Sequence, residues 1–66
     1  MSVSSDEILR ALGPREAIAQ AVTILLARYE LSEEAALNKL VLDAGASHTK
    51  IRETAGRIVA EQRRPT

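Results

Sequence analysis

The sequence has no cysteine, tryptophan or phenylalanine, and only one tyrosine and one histidine. Without cysteine there is no disulfide and no thiolate metal site, so a zinc site would need carboxylates plus His48 alone. A Cys-based or Ser/His/Asp nucleophilic arrangement lacks parts as well. The near absence of aromatic side chains leaves little filling for a sandwich or barrel, and it excludes a base-stacking platform of the RRM or cold-shock kind. No apolar run approaches 18 residues, which excludes a membrane-spanning helix. Met1 to Asp6 is polar and Arg10 interrupts Ile8 to Leu12, so no secretory leader is recognisable either. The expectation is a cytoplasmic protein with no membrane partner.

What is present points to helices. The 66 residues make one domain at most, and a chain this short buries only about 60% of the surface its unfolded form exposes. Its core is marginal, and association is the remaining source of stability. The apolar content comes mainly from eleven Ala, eight Leu, five Ile and four Val, which suits thin, closely packed helices: an all-α fold. Such a chain has little room for a sizeable pocket, so neither catalysis nor a cofactor is expected. The formal net charge of zero argues against a strong non-specific polyanion binder. The average hides an asymmetry, because residues 1–45 carry four basic and seven acidic side chains while residues 46–66 carry five and two. The basic end is where an acidic partner belongs.

Punctuation is sparse, and it divides the chain into a short leading segment (residues 1–13) and three further helices (residues 14–64). Ser4-Ser5-Asp6-Glu7 fits a capping box ahead of the apolar edge Ile8, Leu9 and Leu12. That helix should stop or bend at Gly13-Pro14, with Pro14 opening the next one. Ile18, Val22, Leu25 and Tyr29 repeat at i, i+4, i+7 and i+11, predicting a helix to Tyr29 with Tyr29 on its inward stripe. Ala17, Ala21, Ile24 and Leu26 widen that stripe. After the Glu30-Leu31 link, Ser32 caps a helix to about Ala44, with Ala36, Leu37, Leu40, Val41 and Ala44 inward and Gly45 at the left-handed C′ position. Ser47 or Thr49 caps the last helix, about residues 48–63, whose buried stripe is Ile51, Ala55, Ile58 and Val59. Mid-helix Gly56 would cost roughly 1 kcal/mol relative to Ala unless a close backbone approach offsets it. Lys50, Arg57 and Arg64, with Arg52 and Arg63 a little round the turn, place their charges on the solvent side.

The stretch Ile18-Ala19-Gln20-Ala21, Ile24-Leu25-Leu26-Ala27-Arg28-Tyr29, Leu31-Ser32, Ala36-Leu37 and Leu40, followed by Thr49-Lys50-Ile51-Arg52, Ala55 and Ile58-Val59, resembles the ANTAR domain. The likeness covers about residues 9–60 without a gap. It implies a three-helix domain that works as a dimer and binds stem-loop leader RNA in transcription antitermination, usually fused behind a sensor. This chain is expected to be a diverged, stand-alone member. It departs from the family pattern at Val22-Thr23, where a Lys-Gly pair is common, at Leu37 for an aromatic, at Val41 for a basic residue and at His48 for Asn. The apolar skeleton is kept while two polar or basic positions have become apolar.

Two functions follow. In the first, Lys50, Arg52 and Arg57 hold RNA phosphates, the free amides of the last helix's first turn add to them, and His48 and Thr49 lie near loop bases. The same cations equally suit an ordinary solvated helix face, with Glu53 and Arg57 forming an i, i+4 pair. In the second, the chain is a protein-interaction module that has lost RNA binding and associates with itself or with a full-length regulator or sensor. Its surface would draw on the apolar surplus: Ile8, Leu9 and Leu12 of the leading helix with Val22, Ile24, Leu26, Val41 and Leu42.

Overall fold

The computed structural model describes residues 4–47 and 49–63, and His48 and Arg64 lie outside them. Four helices follow one another: α1 (Ser5–Leu12), α2 (Pro14–Tyr29), α3 (Glu33–Ala46) and α4 (Ile51–Gln62). The fold is all-α, and α4 packs against each of the other three.

The local signals explain most of the boundaries. Ser4 Oγ accepts from the Glu7 amide at 3.2 Å and Ser32 Oγ accepts from the Ala35 amide at 3.1 Å, so both predicted serine caps form. Gly13 serves two helices. At φ +85° it ends α1, its amide donating to the Leu9 carbonyl at 2.8 Å, and its own carbonyl takes the Ala17 amide at 3.0 Å to start α2. Glu30 closes α2 in the left-handed region at φ 53°, a conformation that a side chain adopts only with some strain.

The core comprises Ile8, Ala17, Ala21, Val22, Leu25, Ala36, Leu40, Ala55, Ile58, Val59 and Ala60. The leading helix is part of it: Ile8 is 1% exposed, and α1 lies directly on α4. A Cβ added to Gly56 would stand 3.0 Å from the Ser5 carbonyl oxygen and 3.3 Å from Leu9 Cγ. The close approach expected at this glycine is therefore the seat of α1.

Several expectations are corrected. Helix α3 runs through Gly45 to Ala46, and Gly45 has no positive φ; the chain leaves the helix at Ser47, whose amide donates to the Asp43 carbonyl. Neither Ser47 nor Thr49 caps α4. Thr54 is 1% exposed, and its hydroxyl shares a 2.6 Å hydrogen bond with that of Thr49, because a buried hydroxyl needs a partner. Lys50 is left as an N-cap without a side-chain bond. Leu37, Val41 and Tyr29 are exposed rather than inward, and Ile51 also surfaces. Helix α3 meets the core through the narrow strip Ala36, Leu40 and Ala44, so side chains on its flanks stay uncovered. Tyr29 stands at the end of α2, 50% exposed, with Lys39 Nζ 4.9 Å from its ring centroid.

Candidate nucleic-acid interface

The cations proposed for RNA all reach solvent: Lys50, Arg52 and Arg57 are exposed. Among the described residues the only ion pair is Lys39–Asp43 at 3.8 Å, so the expected Glu53–Arg57 pair is not formed and all three cations are unpaired. They do not make one cluster. At 3.6 residues per turn Lys50 and Arg57 fall on nearly the same side, roughly 10 Å apart along the axis, whereas Arg52 and Arg57 are separated by about 140° around the helix. Packing explains the division. Thr54, Ala55, Gly56, Ile58, Val59 and Ala60 are buried, so α4 is covered around most of its girth and its outer edge carries Glu53, Arg57 and Glu61. Arg52 escapes burial only by standing in the first turn.

That outer edge alternates in sign, with Glu53 between Lys50 and Arg57 and Glu61 one turn beyond. Its field is weaker than a run of three cations would give. Thr49 is half-buried, and its hydroxyl is held by Thr54. His48 lies outside the described residues. The amides at the start of α4 have no capping side chain, and its first hydrogen bonds run from the Glu53 and Thr54 amides to the Lys50 carbonyl at 3.0 and 3.1 Å. Uncapped amides at a helix start favour a phosphate.

The residues expected on an interaction surface are dispersed. Ile8 and Val22 are both in the chain's own core; for Ile8 this is because α1 folds back on α4 and supplies part of the packing that a second subunit was expected to give. Leu9, Leu12, Ile24 and Leu26 are half-buried against the core, while Val41 and Leu42 stand on the outer side of α3. An open groove of about 340 Å³ separates α2 from α4, with Ala19, Ile24 and Val59 in its wall. Its rim is cross-linked by Arg63 donating to Gln20 at 3.4 Å, and Arg28 donates to Gln62 at 3.2 Å nearby. None of Thr49, Lys50, Arg52 and Arg57 lines it.

Sequence reasoning missed Thr54, which is buried in the first turn of α4 and holds the Thr49 hydroxyl. Its spacing from Ile51, Ile58 and Val59 was the available signal, since i−3, i+4 and i+5 place it on the buried stripe. Among the described residues no group of His, Asp or Glu is arranged to hold a metal, and no helix is long and apolar enough to cross a membrane.

The ANTAR domain profile matches residues 6–59. Comparison with curated proteins and with solved structures finds no match. The family match takes in all of α3 and nearly all of α1, together with α2 and most of α4, the same four elements that share the core. The chain belongs to the ANTAR domain family, a family of RNA-binding antitermination regulators and not of enzymes.

Proposed function

We propose that this chain binds stem-loop leader RNA and acts in transcription antitermination through the start and outer edge of α4. The supporting observation is the coincidence of the family match over residues 6–59 with three exposed cations of its last helix that make no ion pair among the described residues. Lys50 and Arg57 take phosphates along one side, and Arg52 reaches a phosphate on the other side of the helix start. The uncapped amides of α4 add a further anion site. With one tyrosine in the chain and that residue at the far end of α2, recognition rests on guanidinium groups, amides and the shape of the folded RNA. His48 belongs to this proposal by its sequence position beside Thr49.

Replacing Lys50 and Arg57 together by Ala tests it in a gel-shift assay with a two-hairpin RNA. The slope of log affinity against log salt should fall by about 1.4, since each phosphate contact on single-stranded RNA contributes about 0.7. Unchanged affinity and slope would remove the assignment. The melting curve should stay put, because exposed substitutions are usually within about 0.5 kcal/mol.

A second reading, an interaction module without RNA binding, is favoured by Val41, which is exposed where a basic residue is common in the family. Self-association, by the half-buried edges of α1 and α2, accompanies either reading. Light scattering at micromolar concentration should find a dimer, and a clean monomer would discard that part.

A further inference from the structure

We propose that the open groove between α2 and α4 is a binding site for a small zwitterion, a free α-amino acid with an aliphatic side chain. The groove has a volume of about 340 Å³, at the small end of the range for ligand sites, and Ala19, Ile24 and Val59 make its apolar lining. Its polar groups are sorted by wall. On the α2 side Glu16 is a carboxylate, and the Thr23 hydroxyl donates its proton to the Ala19 carbonyl at 3.1 Å, so both present acceptors to the groove. On the α4 side the Gln62 carbonyl oxygen is taken by Arg28 at 3.2 Å, which leaves the Gln62 amide hydrogens, and Arg63 has only donors.

Gln20 shows what fits between the two walls. Its carbonyl oxygen accepts from Arg63 and its amide donates to Glu16, both at 3.4 Å, the long end of hydrogen bonding. Glu16 and Arg63 make no ion pair with each other among the described residues. An α-amino acid carries an ammonium and a carboxylate on one carbon, a donor and acceptor of much the same span as the Gln20 amide, and each is charged. It replaces two long neutral-to-charged contacts with shorter ones between full charges, ammonium to Glu16 and carboxylate to Arg63 and Gln62. The aliphatic side chain then covers Ala19, Ile24 and Val59. A simple carboxylate would leave Glu16 opposed, and a simple amine would leave Arg63 opposed. Leu26, two positions beyond Ile24 and about 160° away around α2, stays free with Leu9 and Leu12 for self-association. The site shares no residue with the cations at the start of α4 and does not depend on the RNA reading.

The test titrates the full chain, labelled with ¹⁵N, with L-leucine, with glycine, and with the two leucine analogues that keep one charge each, isoamylamine without the carboxylate and isocaproate without the ammonium. Leucine should shift amides saturably in residues 19–24 and 59–63, with a Kd on the order of 1 mM for so small a ligand in an open site. It should bind about fivefold or more tightly than each of the other three. Arg63→Ala should weaken leucine and isocaproate and leave isoamylamine unchanged, while Glu16→Gln should weaken leucine and isoamylamine and leave isocaproate unchanged. Both variants should melt as the parent does, since both side chains are exposed. Shifts that never saturate or that centre elsewhere, an analogue or glycine binding as tightly as leucine, or a variant that weakens the analogue lacking its partner charge would each overturn the proposal. So would groove amides that move on simple dilution of the free protein, which would give the groove to a second copy.

Discussion

At Gly56, the 3.0 Å from an added Cβ to the Ser5 carbonyl oxygen leaves no space for a side chain without moving α1. Gly56→Leu should lower stability by about 1–3 kcal/mol from overpacking, which outweighs the roughly 1 kcal/mol of helix propensity it gains. A urea titration reads the change, and faster hydrogen exchange in α1 would show which contact was lost; an unchanged midpoint would contradict the packing. Glu53 is the residue that opposes its neighbours. Its charge, about 7 Å from a phosphate held by Lys50 or Arg57, is worth roughly 0.6 kcal/mol of repulsion in water. Glu53→Gln should tighten RNA binding by up to about threefold at low salt in a filter-binding measurement, and weaker binding would mean that the RNA lies elsewhere.

At the scale of the element, caps and helix ends make separable contributions. Ser32→Ala removes the hydroxyl that accepts from the Ala35 amide and should destabilise the chain by about 1 kcal/mol. Glu30→Gly relieves the left-handed conformation at the end of α2, and the gain of up to about 1 kcal/mol should appear as a higher denaturation midpoint, since glycine adopts that geometry without steric penalty. A fall in the midpoint would show that the Glu30 side chain contributes more than its backbone strain takes away. The helices were legible as elements because their periodicity and caps are local. The last boundary was not, because neither predicted cap forms: Lys50 is the N-cap, and the Thr49 hydroxyl is taken by the buried Thr54.

For the molecule as a whole, one core joins all four helices, so loss of the leading helix should not be a local event. Ile8→Ala should cost about 2–5 kcal/mol. A chain of this length has only about 3–10 kcal/mol in total by the usual per-residue scale. A circular dichroism melt should therefore show the entire transition moving to lower temperature. Loss of only the signal of one short helix, with the main transition unmoved, would show α1 to be an appendage. The candidate site was legible in kind and only partly in arrangement. Lys50, Arg52 and Arg57 could be named from their position on the last helix, and the helical period separates Arg52 from Arg57; only the structure showed that α1, α2 and α3 cover most of the girth of α4 between them.

The amino-acid sequence alone determined that this is a small all-α domain of the ANTAR type with a cationic last helix. Helical period, serine caps and the Gly13-Pro14 break act over one or two turns and are written into neighbouring residues. Only the tertiary structure decided which apolar residues are core and which are surface. Ile8 went inside because α1 and α4 close on each other across Gly56, and Val22 is buried on α2, while Leu37 and Val41 stayed outside because α3 touches the bundle along a single strip of mostly alanine and Tyr29 because it is the last residue of α2. Periodicity tells which residues share a side; whether another helix covers that side is a property of the assembled chain.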